Sequence, residues 1–257
     1  MNKLGIRLII LSITLTIVAG LNSLLLVGES QNVEKSELFL TYNDTAYGIS
    51  INYPSNWEIY DDSKFLLSIL ENISSSEQAG TNQNNEVTSK VSNVLEAFGL
   101  KEVSDLLGLK PDERSEFFQK MSQALNEGTV HMILAIVSPL ENESDVFSEN
   151  MNLVVENISA ISPIPLTDYV NANIEGMKIG LDRFQLVEPM KEITVDGQQA
   201  ISFVYTGTIG TENQKSLVAY MIRGNTGYIL HFGALPQTYS MYAETFEKML
   251  QSFRISN

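Results

Sequence analysis

The sequence predicts an α+β fold in which antiparallel strands pack against helices. Three observations support this prediction: short apolar runs alternate as in strands, turn residues separate consecutive runs, and two later segments have helical spacing. The chain has 257 residues, of which 44% are hydrophobic, so it can bury one ordinary globular core. It contains no cysteine, which excludes disulfides, thiolate zinc sites and cysteine nucleophiles.

The first 28 residues are predicted to be a signal peptide or an N-terminal transmembrane anchor. Lys3 and Arg7 precede an uncharged apolar run, residues 8–27, that is long enough for one membrane-spanning helix. The same run could instead be the core of a cleaved signal. Both interpretations place residues 29–257 outside the cytoplasm, either secreted or held at the membrane through residues 8–27.

The next segments predict two hairpins. Residues 37–42 and 48–53 alternate in hydrophobicity around a turn, and Pro54 stops the second strand because proline cannot donate to a ladder. Two further apolar runs, residues 131–139 and 151–158, predict the second hairpin, which is joined by an acidic loop.

The last third of the chain predicts a helix, an antiparallel meander and a final helix. The first helix spans residues 166–181 and the last spans 238–253, each with one apolar stripe. Both alternating faces of the later strands are partly apolar, so the sheet must be covered on both sides. The four predicted strands of the meander are residues 184–195, 199–207, 216–223 and 228–234.

Two segments resemble PsbP-like domains. The run Gly-Ile-Ser-Ile-Asn-Tyr-Pro-Ser-Asn-Trp at residues 48–57 is similar to the opening of these domains, and residues 227–253 are similar to their closing strand and helix. The resemblance implies that residues 29–257 form a single, divergent PsbP-like domain, an antiparallel sheet sandwiched between helices. Founding members are non-enzymatic extrinsic subunits of photosystem II. No functional residue of these domains can be assigned to this chain, because the matching positions belong to the core and the turns.

A predicted helical insert, residues 58–130, interrupts this domain where its relatives pass quickly to the third strand. Two interpretations stay open: a cap that packs on the sheet, or a subdomain that contacts a partner or lipid. If its apolar stripes are exposed, Leu106, Phe117 and Phe118 are the predicted partner contacts.

The sequence contains no recognisable catalytic constellation, so we predict that the chain is not an enzyme. Its two histidines, His131 and His231, lie in apolar runs that are typical of structural histidines. The nucleophile elbow, the phosphate-binding loop and the His-Glu-x-x-His zinc motif are all absent from the sequence. The alternative is an extracytoplasmic hydrolase that uses scattered carboxylates.

An acidic loop is the weak candidate for a metal site, and calcium is the cation that its oxygen ligands would suit. The spacing matches no EF-hand, so a solvated loop is the preferred interpretation and no cofactor is predicted. The candidate ligands are Glu141, Glu143, Asp145 and Glu149.

Four Asn-x-Ser/Thr tripeptides predict glycosylation if the chain is exported and they are exposed. Together with the acidic, cysteine-free composition, they resemble the style of archaeal exported proteins. The four asparagines are Asn43, Asn72, Asn142 and Asn157.

The predicted function is therefore a non-catalytic, extracytoplasmic accessory or binding module with a protein partner at the membrane surface. The 16 basic and 31 acidic residues give a formal net charge of −15, which argues against nucleic acid and anionic lipid as partners.

Overall fold

The computed structural model describes residues 38–60, 130–140, 147–209 and 212–256, and these contain ten strands and two helices. In chain order the elements are β1 (Phe39–Asp44), β2 (Ile49–Pro54), β3 (Glu58–Tyr60), β4 (Val130–Val137), β5 (Asn150–Asn157), α1 (Leu166–Gly180), β6 (Asp182–Val195), β7 (Gln198–Ile209), β8 (Glu212–Arg223), β9 (Thr226–Ala234), α2 (Tyr239–Ser252) and β10 (Arg254–Ile255).

The strands form two antiparallel sheets. One has three strands in the order β1-β2-β10, and the other has seven in the order β3-β4-β5-β9-β8-β7-β6. The predicted α+β class with antiparallel strands is therefore confirmed. The single sheet implied by the resemblance is not found, because β2 pairs with β1 and β10 instead of joining the larger sheet.

The start of the predicted insert belongs to the larger sheet. Glu58 begins β3, where it lies opposite Val137 of β4, so the first three residues of the segment 58–130 are a strand. Residues 61–129 lie outside the described part of the chain. A strand of three residues is too short to show the alternation by which sequence analysis finds strands.

Helix α2 carries the aromatic centre of the main core. Its Phe246 is fully buried, with its ring centroid 5.3 Å from that of Phe232 in β9 and 6.3 Å from that of Trp57. Tyr239 and Tyr242 of the same helix flank Phe246, with centroids within 6.3 Å. The apolar side chains of α2, which recur at helical spacing, thus pack both against the large sheet and against the segment that follows β2.

Helix α1 packs on the large sheet through Tyr169. The ring of Tyr169 meets that of Tyr220 edge to face at 5.9 Å, and its hydroxyl donates a 2.7 Å hydrogen bond to Glu156 Oε2. Burial raises the pKa of Tyr169 well above 10, and the Glu156 carboxylate raises it further. The phenol therefore stays protonated and acts as the donor in this buried pair.

Gly227 gives Tyr169 the space to lie against the sheet. A Cβ atom at Gly227 would lie 2.6 Å from the Tyr169 hydroxyl oxygen and 3.0 Å from Cζ. Because Tyr169 is fully buried and hydrogen-bonded, we expect Gly227→Ala to lower the free energy of unfolding by about 1–3 kcal/mol. Urea denaturation would measure this loss.

Gly207→Ala is the matched control for that experiment. Gly207 is also a strand glycine, but a Cβ there would first meet Leu181 Cδ1 at 3.2 Å, which is the end of a side chain that can rotate. We expect this control to lose less than about 1 kcal/mol. If both variants lose the same free energy of unfolding, Tyr169 does not pack tightly against Gly227.

The last described residues connect the two sheets. Ile255 lies opposite Ile49 of β2, and its N–H donates to Asp196 Oδ2 in the turn between β6 and β7 at 2.9 Å. The Arg223 guanidinium of β8 donates to the Ile255 carbonyl at 2.9 Å. A two-residue strand thus fastens the small sheet to the end of the large one.

Candidate functional site

A groove of about 490 Å³ opens where the β1–β2 turn faces the large sheet, and we call it the Tyr47 groove. Its walls come from that turn, from the start of β4, from the end of β5 and from the β8–β9 turn. The residues that line it are Ala46, Tyr47, His131, Val155, Asn157, Ser159, Asn225, Thr226 and Tyr228.

The β1–β2 turn holds Tyr47 at the rim of this groove. Asp44 Oδ1 accepts hydrogen bonds from the backbone N–H groups of Ala46 at 2.8 Å and Tyr47 at 3.0 Å. Gly48 then adopts a φ of +62°, which glycine tolerates without steric cost. A short polar side chain and a glycine therefore fix the direction of the Tyr47 side chain.

The Tyr47 ring packs against His131 and remains accessible. The two ring centroids are 5.4 Å apart with an interplanar angle of 54°, and Tyr47 keeps 37% of its surface exposed. Partial burial and the Asp44 carboxylate both raise the pKa of Tyr47. At neutral pH this residue offers a ring surface and a protonated hydroxyl.

The main-chain groups on the floor of the Tyr47 groove are hydrogen-bonded within the large sheet. Val155 pairs with Tyr228 and Asn157 pairs with Thr226, while the Ile158 N–H donates to the Asn225 carbonyl at 2.8 Å. Asn157, Ser159 and Asn225 are exposed. What the floor presents to a ligand is therefore mainly amide and hydroxyl side chains.

Charged side chains are absent from the described residues that line the groove. Among the nine, none is Asp, Glu, Lys or Arg, although the whole chain has a formal net charge of −15. The groove is consequently a polar surface without carboxylate, lysine or arginine side chains in its lining, with the Asp44 carboxylate beside its rim.

His231, the other histidine, lies inside the large sheet. Its Nε2 is 2.9 Å from the Tyr205 hydroxyl, and full burial lowers the pKa of His231 to about 4. The imidazole is neutral at pH 7 and is shielded from solvent. A general base must reach the proton of a substrate, so this position suits a structural histidine.

Glu149 faces the interior and not the loop that was predicted to be solvated. Its carboxylate accepts hydrogen bonds from the Ser138 hydroxyl at 3.1 Å and the Thr238 hydroxyl at 2.6 Å, and the residue is buried. The other candidate cation ligands, Glu141, Glu143 and Asp145, lie outside the described residues. The expectation of an exposed acidic side chain is therefore wrong for Glu149.

Among the described residues two glutamates are buried, and they are too far apart to act as a catalytic pair. Glu149 precedes the strand and Glu156 lies near its other end. Seven residues of extended chain span about 23 Å. Paired carboxylates of glycoside hydrolases lie about 5–9.5 Å apart.

The remaining predicted site residues fall into two groups. Asn43 in β1 and Asn157 at the end of β5 are exposed, and the Asn157 side-chain oxygen accepts the Ser159 N–H at 3.0 Å. The others, Asn72, Asn142, Leu106, Phe117 and Phe118, lie outside the described part of the chain.

Two further features are absent from residues 38–60, 130–140, 147–209 and 212–256. No three His, Asp or Glu side chains there come close enough to hold a metal ion. No helix in these ranges is long and apolar enough to cross a membrane, and the predicted span 8–27 lies outside them.

Sequence analysis missed the Tyr47 groove because its walls are distant along the chain. Asn225 and Tyr47 come together only through the folded sheets. The local signal was the Asp44 and Gly48 pair that brackets Tyr47, since this turn chemistry displays a large aromatic residue at a hairpin tip.

No family model matches the chain, and no curated protein matches its sequence. Among solved structures, cyanobacterial PsbP from Synechocystis sp. PCC 6803 is 13% identical, with a TM-score of 0.46 over 89% of this chain and 98% of that one. A Pseudomonas aeruginosa protein of unknown function is 15% identical, with a TM-score of 0.39 over 46% and 78% of the two chains.

A third similar structure is LpqN, which is involved in cell envelope biogenesis of Mycobacterium tuberculosis. It is 11% identical, with a TM-score of 0.37 over 50% of this chain and 79% of that one. These likenesses concern the fold at low identity and give no support to the expected archaeal character.

Proposed function

We propose that the protein is a non-catalytic binding module that acts outside the cytoplasm and uses the Tyr47 groove as its contact site. The observation that carries this proposal is the convergence of exposed aromatic and amide side chains, Tyr47, Asn157 and Asn225, in one groove of about 490 Å³. Small-ligand sites commonly have volumes of about 300–1,000 Å³ and combine rings with a few polar groups.

The location is inferred from the N-terminal sequence. Lys3, Arg7 and the apolar run 8–27 would direct export or hold the chain at the outer face of the membrane. Anchoring there would raise the effective concentration of the groove for ligands at the same membrane surface, so a weak contact would suffice. The predicted insert could add a second contact through Leu106, Phe117 and Phe118.

The competing proposal, a carboxylate-dependent hydrolase, has less support from the described residues. None of the residues that line the Tyr47 groove carries a carboxylate. Glu149 and Glu156 are buried at opposite ends of β5, each bonded to hydroxyl groups. A hydrolase would need two acids at one accessible place.

Site-specific photocrosslinking tests the groove as the contact site. A photoreactive residue at the exposed Ala46 position should capture a partner in native membranes, whereas the same residue at Met241, which is 49% exposed on α2, should not. Adding Tyr47→Ser should lower capture at Ala46 by about tenfold, the equivalent of about 1.4 kcal/mol. Equal capture at both positions would contradict the proposal.

A reporter fusion tests the location separately. We expect residues 1–30 to export a reporter that is active only outside the cytoplasm, because the basic flank and the apolar run are sufficient for targeting. Replacing Leu8 to Val27 by a polar linker of equal length is the control and should abolish reporter activity. An inactive unaltered fusion would overturn the extracytoplasmic assignment.

A further inference from the structure

We infer that the ligand of the Tyr47 groove is a neutral saccharide, an inference that rests on the proposed binding role of this groove. It follows from three properties of the groove: the β5 main chain at its floor is already paired, its lining has no Asp, Glu, Lys or Arg side chain, and its rim displays an aromatic ring.

The paired main chain argues against a peptide that adds to the sheet as a strand. Such peptides bind through free N–H and C=O groups of a strand edge. Here β5 pairs with β4 as far as Glu156 on one side and with β9 as far as the pair Asn157 and Thr226 on the other. Recognition at the floor of the groove must therefore come mainly from side chains.

The polar side chains match a ligand that is rich in hydroxyl groups. Asn157 and Asn225 each bring a carboxamide, with donors and an acceptor, and Ser159 brings a hydroxyl that can do both. The Asn157 oxygen already accepts the Ser159 N–H, which orients its NH₂ group as a donor. Sugar hydroxyls accept and donate in the same way.

A lining without Asp, Glu, Lys or Arg favours a neutral ligand over an ionic one. A charged ligand that enters the groove loses hydration, and that loss is offset only by an opposite charge or strong hydrogen bonds. The lining contains no Asp, Glu, Lys or Arg to supply that charge, and the acidic protein around it repels anions. A neutral saccharide loses less hydration free energy when it enters the groove.

The Tyr47 ring supplies the apolar contact that sugar binding also needs. One side of the ring packs against His131, and 37% of the residue is exposed at the rim. The face of an aromatic ring carries partial negative charge, so it attracts the weakly positive C–H groups on the face of a sugar ring.

Saturation-transfer NMR of sugars mixed with the full-length chain would test the inference, using a detergent without a sugar headgroup. The probes are maltotriose, cellotriose, mannotriose and diacetylchitobiose, with trigalacturonate as the acidic counterpart. We expect at least one neutral sugar to bind with a Kd of about 1 mM or lower, and trigalacturonate to bind at least about tenfold more weakly.

Three variants connect binding to the groove. Tyr47→Ser should weaken the binding of that sugar by about tenfold, whereas Tyr47→Phe, which keeps the ring, should weaken it by less than about threefold. Met241→Ser, which lies on α2 away from the groove, should leave it unchanged. Equal melting temperatures would show that all three variants are folded.

The outcomes separate this inference from the proposed function. If no neutral sugar binds, or if binding survives Tyr47→Ser, the saccharide assignment is overturned. Capture of a partner at Ala46 would then still support the groove as a contact site for another ligand. If photocrosslinking at Ala46 also fails, both the assignment and the proposed function are wrong.

Discussion

Phe246→Ala is expected to lower the free energy of unfolding by about 3–5 kcal/mol, as truncating a buried aromatic residue usually does. Phe246 is fully buried and its ring lies within 6.3 Å of those of Trp57, Phe232, Tyr239 and Tyr242. A cavity at this position would loosen the contact between α2 and the large sheet. The loss is a large part of the 5–15 kcal/mol that is typical of whole domains.

Met241→Ala is the matched control, because Met241 lies on the same helix with 49% of its surface exposed. It should change the free energy of unfolding by no more than about 0.5 kcal/mol. Urea denaturation with a constant m-value would measure both variants. A loss of less than about 1 kcal/mol for Phe246→Ala would show that α2 is not part of the main core.

The second expected effect is acid destabilisation through His231. Burial lowers the pKa of His231 to about 4 in the folded protein, whereas a histidine in an unfolded chain titrates near pH 6.5. Between pH 6.5 and pH 4, His231 binds a proton in the unfolded state but not in the folded state. The free energy of unfolding therefore falls as the pH falls. The loss should reach about 3 kcal/mol near pH 4 and be absent above about pH 7.

His231→Gln isolates this contribution from that of the many acidic groups. The free energy of unfolding of the wild type minus that of the variant should fall by about 3 kcal/mol between pH 7 and pH 4, because glutamine does not titrate. Thermal or urea unfolding at half-unit pH intervals would give this difference. Parallel pH profiles for the two proteins would mean that His231 is not buried in its neutral form.

The long elements were predictable because their patterns are local. The helix over residues 166–181 and the strand over residues 228–234 show their apolar period within the segment itself, and the structure places α1 and β9 there within two residues. β3 and β10 have three and two residues, so no period can appear in them. Their pairing depends on partners that are distant along the chain.

The candidate site was less predictable than the fold, for the same physical reason. Glu149 appears in the sequence as one acid of an exposed cluster, but Thr238, 89 residues later, draws its carboxylate inward with a 2.6 Å hydrogen bond. The Tyr47 groove likewise joins a hairpin tip to a turn near Asn225. Local sequence patterns do not record which turns meet after folding.

Strand β10 also determines when the small sheet can finish folding during synthesis. The Asn52 N–H of β2 donates to the Ser252 hydroxyl, 200 residues later, and Ile255 pairs with Ile49 just beyond it. Since the ribosome makes the N-terminal part first, β2 keeps one open edge until Arg254 and Ile255 have been translated. An open edge can pair with neighbouring chains. A chain truncated before Arg254 would therefore keep that aggregation-prone edge permanently.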